Sequence, residues 1–230
     1  MALRDFRRFF PDSIATPRVW TFHSLINLTQ GAVSDESSSP LELPEKYIYL
    51  PNQFWTHKNH KLVFSALKLL CHEHGIKVQL VCTGLPSDSR AKDHYNNLLD
   101  FLRRNDLQDQ VQLLGLLPRD HQIHVFRCCA AVVQPSLFEG WSTVVEDARA
   151  IGRPIFLSDI PVHREQMPDS QSFFDPHSPE DLARLLASHW HYLSPGPDPE
   201  AEAAAQALTE ELIQASARRF VSYCLEACHI

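Results

Sequence analysis

From Tyr47 to Trp190, short apolar runs alternate with longer stretches of helical spacing, and this alternation constrains the fold more than any other feature. Tyr47–Leu50, Val78–Cys82, Val111–Leu114, Ala130–Val133, Pro154–Leu157 and Gln171–Phe174 read as strands. Lys61–His74 carries Leu62, Ser65, Ala66, Leu69 and Leu70 at helical spacing, with Gly75 as its stop. Ser89–Arg104 presents Tyr95, Leu98, Leu99 and Leu102, and Asp120–Cys128 gives a short helix. Ser178-Pro179-Glu180 opens another, with proline at the first helical position and acids in the first turn. Strands and helices joined by short loops imply a parallel sheet covered on both faces. The expected fold is therefore α/β, a Rossmann-like doubly wound sheet that binds ligands beyond the carboxyl ends of its strands.

The chemistry concentrates after the run Ala130–Val133, in the stretch from Phe138 to Gly152, FEGWSTVVEDARAIG. Gly140 breaks the chain, and Thr143 with Glu146 has the spacing of a capping box, so the helix is expected to start at Val144. Gly152, before Arg153-Pro154, closes it. A helix N-terminus facing a glycine turn at a strand end is an anion site, with the amides of Gly140, Trp141, Ser142 and Thr143 expected to point at phosphate. Glu139 and Asp147 add carboxylates, which repel phosphate and suit hydroxyl groups. Phosphate together with a polyol means a nucleotide-sugar. The plainer alternatives are an exposed loop carboxylate for Glu139 and a packing role beneath the turn for Trp141. Glu146 rivals Asp147, but its capping role accounts for it. Gly84, Gly115 and Gly140 sit just past strands, where backbone either approaches a ligand or simply turns.

Glu139-Gly140-Trp141, a short turn and then Asp147-Ala148-x-Ala150-x-Gly152 resembles the signature of retaining GT-B glycosyltransferases of the group-1, family 4 type. That signature has two acids separated by seven positions, which Glu139 and Asp147 match. The resemblance covers roughly Tyr47 to Trp190 and only the C-terminal, donor-binding half of such enzymes. It implies that Glu139 contacts the donor sugar or its phosphate surroundings, and that Asp147 accepts hydrogen bonds from ribose hydroxyls. The loop after the first strand, Leu50 to His60, resembles the family's diphosphate loop, in which an arginine and a lysine grip the phosphates. Lys58 matches the lysine. Gln53 stands where the arginine is expected and Asn52 replaces a glycine, so the second cation is missing or comes from elsewhere, Lys61 or a protonated His57 being candidates. The resemblance makes Glu139 and Lys58 the catalytic candidates. It adds Gln53, Gly140, Trp141, Ser142, Thr143 and Asp147 as donor-binding residues. In such enzymes the base stacks on a loop like Gly115-Leu116-Leu117-Pro118-Arg119.

The same resemblance organises the rest of the chain. Residues 1–45 read as a crossover remnant plus flexible linker, residues 46–190 as the nucleotide-sugar domain, and residues 191–230 as a linker and C-terminal helix. Arg18–Phe22 alternates like a strand without a partner strand nearby, so this piece is expected to have lost its packing partner with the absent N-terminal half. Gly31–Pro40 has linker composition. Pro195–Pro199 precedes a helix from Glu200 to about Ala227 that either crosses back to another domain or packs on the surface.

Composition narrows the partners. A formal charge of −7 argues against nucleic acid. No apolar run approaches the roughly 18 residues of a membrane span, and the N-terminus lacks a signal-peptide core. Cys71, Cys82, Cys128 and Cys129 stand in apolar elements like buried free thiols, which suits a reducing cytoplasm. Cys71-His72-Glu73-His74, the His57/His60 pair and Cys224 with Cys228 are weak metal candidates, so no metal or other cofactor is expected. Three functions remain: transfer of a hexosyl group from a nucleotide-sugar to an acceptor hydroxyl, a nucleotide-sugar-binding module inactive without a separate acceptor domain, and a GT-B epimerase or phosphorylase.

Overall fold

Six strands form one sheet in the computed structural model, which describes residues 2–26, 28, 41–88 and 90–228. They are β1 (Tyr47–Pro51), β2 (Gln79–Thr83), β3 (Val111–Leu113), β4 (Ala131–Gln134), β5 (Ile155–Ser158) and β6 (Phe173–Phe174). Every neighbouring pair is parallel, in the order β3-β2-β1-β4-β5-β6. The chain builds outward from β1 to β3, returns to lay β4 beside β1, and then builds the other way. The order reverses between β1 and β4, where Ile48 pairs with Ala131 and Tyr49 with Val132. In a Rossmann-like sheet the crevice for ligands opens at this reversal, so the loops after β1 and β4 share it.

The helices are α1 (Ala2–Phe9), α2 (His60–His74), α3 (His94–Arg104), α4 (Arg119–Cys128), α5 (Thr143–Ile151), α6 (Pro161–Gln166), α7 (Pro179–His189) and α8 (Pro199–Cys228), with a 3-10 turn at Thr56–Lys58. Alternate strand residues face opposite layers. Ile48, Leu50, Leu80 and Val133 pack with Phe64, Leu67, Leu102 and Leu186 from α2, α3 and α7. Tyr47, Tyr49, Val81 and Val132 pack on the other face with Phe126, Val145, Ala148 and Ile151 from α4 and α5. Burial on both faces explains why the strands read as continuous apolar runs.

Several expectations are corrected. The helix expected from Ser89 begins at His94, because Asp88 turns inward to bond the backbone of Thr56 and Arg90 and holds the chain in a turn. The sequence reading passed over α1 and α6, both too short to show a periodicity. Arg18–Phe22 is not a strand. It lies along α8 instead of lacking a partner. The Trp20 indole donates to the Ser216 carbonyl at 3.2 Å, the Ser216 hydroxyl donates to the Thr21 carbonyl at 2.6 Å, and Arg18 pairs with Glu226 at 2.7 Å. The proposed linker Gly31–Pro40 lies outside the described residues. Cys71 is exposed on α2, whereas Cys82 and Cys129 are buried.

The C-terminal helix is fixed to the sheet layer through α5. Gly152 caps α5 at φ +74°, and a Cβ there would stand 2.6 Å from the Ala201 carbonyl oxygen. Glycine is required twice over, by backbone conformation and by the close approach of α8. The Arg127 guanidinium grips Glu202 through two bonds of 2.8 and 2.9 Å, tying α4 to the same helix.

Candidate functional site

At the reversal point the loops after β1 and β4 are built into each other. Gln134, the last residue of β4, accepts a bond from the Asn52 amide at 2.5 Å and donates to Glu139 at 2.9 Å and to the Ser142 hydroxyl at 3.0 Å. The Leu137 amide donates to the His57 carbonyl at 2.8 Å. Asn59, at φ +58°, donates to the carbonyls of Pro135 and Pro176. The 3-10 turn is held from the other side by Asp88, which accepts from the Thr56 amide. The same backbone donors, Arg90 first and then Thr56, keep the Asp88 carboxyl below the ordinary range.

Within this frame the Lys58 ammonium lies 2.6 Å from Glu139 Oε1, both side chains being mostly buried. The Ser136 hydroxyl and the Gln134 amide donate to the same oxygen. Glu139 Oε2 has no hydrogen bond among the described residues. One carboxylate oxygen is thus fixed by a cation and two neutral donors while the other remains an acceptor.

Glu139 leads into Gly140, which is exposed with nothing within 4 Å of the position a Cβ would take. Helix α5 then begins at Thr143 with Ser142 as its cap residue, and no side chain caps it. The expected capping box is absent because Glu146 is engaged elsewhere. Glu146 is 1 % exposed and accepts from His23 Nδ1 at 2.9 Å, Arg149 at 2.5 Å and Gln166 at 2.8 Å. Gln166 also takes the Ser142 amide at 3.0 Å and donates to the Ser142 carbonyl. Of the amides from Gly140 to Thr143, that of Ser142 is therefore turned into the protein instead of toward a ligand. Trp141 donates its indole N–H to the Phe22 carbonyl at 3.3 Å.

Asp147 is 5 % exposed and held by a fork from Arg119, at 2.7 and 2.8 Å. Ser24 Oγ donates to Asp147 Oδ1 as well. The carboxylate in turn raises the Arg119 pKa, its hydrogen bonds outweighing partial burial. Sequence reasoning did not pair Arg119 with Asp147. The only available hint was that Arg119 ends the loop after β3, at the same sheet edge.

The other residues of the diphosphate loop lie as follows. Gln53 accepts from the Leu85 amide at 2.5 Å and staples the β1 loop to the β2 loop. Lys61 lies over the Phe101 ring at 5.8 Å, turned toward α3. Burial first, and Lys58 second, lower the pKa of His57 and favour its neutral form. Neither Lys61 nor His57 stands as a second cation beside Lys58 in this arrangement.

Two buried histidines support the site. His60 is stacked on Phe54 at 4.3 Å, and burial brings its pKa to about 3. His163 Nδ1 lies 2.9 Å from the Ser158 carbonyl, which only accepts, so the ring carries its proton there. Ser158 Oγ donates to the Ser136 carbonyl at 2.6 Å, linking β5 to the turn that carries Glu139. Among the described residues no group of three or more His, Cys, Asp and Glu side chains converges to hold a metal ion. No described helix is long and apolar enough to cross a membrane.

Comparison with known proteins identifies the family and the fold. The family of group 1 glycosyl transferases matches residues 34–191. The putative glycosyltransferase EpsF of Bacillus subtilis strain 168 is 35% identical over 104 residues, 44% of this chain and 24% of that protein. Sucrose-phosphate synthase from Thermosynechococcus elongatus superposes with a TM-score of 0.71 at 16% identity, over 99% of this chain and 57% of that one. A glycosyltransferase from Rickettsia africae ESF-5 superposes at 0.64 and 15% identity, over 79% of this chain and 48% of that one. HepE from Anabaena, in complex with UDP, gives 0.60 at 18% identity, over 77% and 49%. The structural matches establish the shared Rossmann-like fold of GT-B glycosyltransferases. The chain spans about half the length of these structures, and its match to EpsF spans about a quarter of that relative. With the family pattern running through the whole sheet and both loops of the site, this chain belongs to the group 1 glycosyl transferases.

Proposed function

We propose that the chain is the donor-binding, C-terminal half of a retaining, family 4-type glycosyltransferase, moving a hexosyl group from a nucleotide-diphosphate sugar to an acceptor hydroxyl. The observation that carries this reading is the meeting of Lys58 and Glu139 beside the N-terminus of α5, at the reversal point of the sheet. Breaking a sugar–diphosphate bond leaves negative charge on the departing phosphate. A fixed ammonium and helix N-terminal amides stabilise that charge without reorganising. In this reading Glu139 faces the sugar with its open oxygen, and Asp147 meets the ribose. No metal is required, because Lys58 and the helix end supply the positive potential. The UDP held by the Anabaena relative, which shares the fold, supports a nucleotide as ligand. Six free cysteines, three of them exposed, suit a reducing cytoplasm.

The acceptor side is assigned to a separate domain or subunit, since the chain covers about half of the solved relatives. The isolated chain is accordingly expected to bind donor and turn over little. A thermal-shift panel of nucleoside diphosphates and their sugars tests the reading. A ligand at about 100 times its dissociation constant stabilises by about 2.7 kcal/mol. No shift with any nucleotide would remove donor binding altogether, and robust transfer by the chain alone would remove the half-enzyme assignment.

A further inference from the structure

We propose that residues 18–26 form an autoinhibitory strap that closes the nucleoside side of the site and must lift for a ribose to reach Asp147. The inference rests on the donor-binding reading above. The strap crosses the first turns of α5 and bonds three consecutive features of the site. The Phe22 carbonyl accepts from the Trp141 indole, His23 Nδ1 bonds the Glu146 carboxylate, and Ser24 Oγ donates to Asp147. Its upstream end is laid on α8 through Trp20, Thr21 and Arg18.

The acceptor capacity of Asp147 decides the matter. An ionised carboxylate offers about four lone-pair positions. Arg119 fills two and Ser24 a third. A cis-diol that donates from both hydroxyls needs two, so one resident donor must leave. The Arg119 fork is charged and bidentate, and is the stronger of the two. Ser24 is a single neutral hydroxyl that presents to Asp147 the same group a ribose would. It is therefore the donor that yields. No residue from 2 to 26 is fully buried, so lifting the strap costs the His23 contact with Glu146 and the packing of Ile26 but opens no core cavity. The strap also does not lie flush on the protein. A cleft of about 390 Å³ opens beside it, lined by Thr21, His23, Trp141, Arg149, Leu208 and Leu212 among others.

The test measures dissociation constants of UDP, GDP and ADP, and of their 2′,3′-dideoxy analogues, for the full chain and for Ser24→Ala. Loss of the competing hydroxyl is expected to tighten the ribonucleotide by roughly 3- to 10-fold, the net weight of one ordinary hydrogen bond, and to leave the dideoxy analogue unchanged. Amide hydrogen exchange in residues 20–26 is expected to accelerate on saturation with the ribonucleotide. Equal affinity of wild type and variant, equal gain for both analogues, or a strap that stays protected in the complex each overturns the proposal while leaving donor binding intact. Absence of binding in every arm removes both.

Discussion

The Lys58 ammonium and the Glu139 carboxylate lie 2.6 Å apart although they stand on loops after different strands, β1 and β4. Parallel pairing of those two strands brings the loops together, so the ion pair is a direct product of the sheet order. With the carboxylate already stabilised by Ser136 and Gln134, Lys58 remains available to a second anion. A phosphate would share the ammonium without leaving Glu139 unsatisfied.

Replacing Lys58 with Gln is therefore expected to weaken a nucleoside diphosphate about 10- to 100-fold, the range of a charge-assisted hydrogen bond. It should leave binding of the unphosphorylated nucleoside unchanged. Calorimetric titration of both ligands separates the two effects. An equal loss for both would show that Lys58 acts on the loop's shape and not on phosphate.

The adjacent acids Glu146 and Asp147 are expected to respond differently. Glu146 is buried with His23, Arg149 and Gln166 on it, so Glu146→Ala removes the carboxylate from a mostly buried Arg149 guanidinium, which keeps only its bonds to Gln166 and Met167. Losing one partner of such a pair costs about 3–5 kcal/mol, visible as a marked fall in melting temperature. Asp147→Asn keeps the shape and one acceptor oxygen for Arg119, and Arg119 is half exposed to solvent. Its melting temperature is expected to change little while ribose-dependent affinity falls. The reverse pattern in thermal melts and titrations would assign the ribose to Glu146.

His60 gives the chain an acid-sensitive stability. Its folded pKa of about 3 lies below the ordinary histidine value of roughly 6.5. Between those values the unfolded chain binds a proton that the folded chain refuses. The stability it contributes is thus present above about pH 6.5 and declines as pH falls toward 3, by up to ~1.4 kcal/mol per pH unit. Urea midpoints measured from pH 7 to pH 4.5 are expected to fall less steeply in His60→Leu than in the wild type. Parallel slopes would place the acid sensitivity in other groups.

Much of this architecture is legible in the residues. The strands are buried on both faces, so Tyr47–Pro51 and Ala131–Gln134 read as apolar runs, and Gly75 and Gly152 mark helix ends by their backbone conformation. The seven-residue gap between Glu139 and Asp147 spans a turn and the start of one helix, which is local geometry. What escaped reading is carried by distant partners. Glu146 has capping-box spacing, yet His23 and Gln166 claim it from other parts of the chain. Trp20 finds Ser216 across 196 positions, and no periodicity near Trp20 announces that contact. Arg119 carries no mark in sequence that distinguishes it from a solvated arginine until α4 sets it against α5.

The junction of α5 with α8 yields the last prediction. At Gly152 a methyl group would meet the Ala201 carbonyl oxygen at 2.6 Å and the Ala205 side chain at 3.2 Å, on a backbone with φ +74°. The first contact is with backbone, so relief requires α8 to move. Left-handed backbone is itself unfavourable for alanine by about 1 kcal/mol. Gly152→Ala is accordingly expected to destabilise by about 2–4 kcal/mol, strain and lost packing together, and to loosen α8 together with the segment it holds. Because Trp20 and Thr21 rest on α8, the strap over Asp147 loses its anchor. Hydrogen exchange should therefore rise in α8 and in residues 18–26 at once, while α2 and α7 on the opposite face keep their protection. Uniform loss of protection over both faces would mean that the α5–α8 junction supports the whole sheet and not the strap in particular.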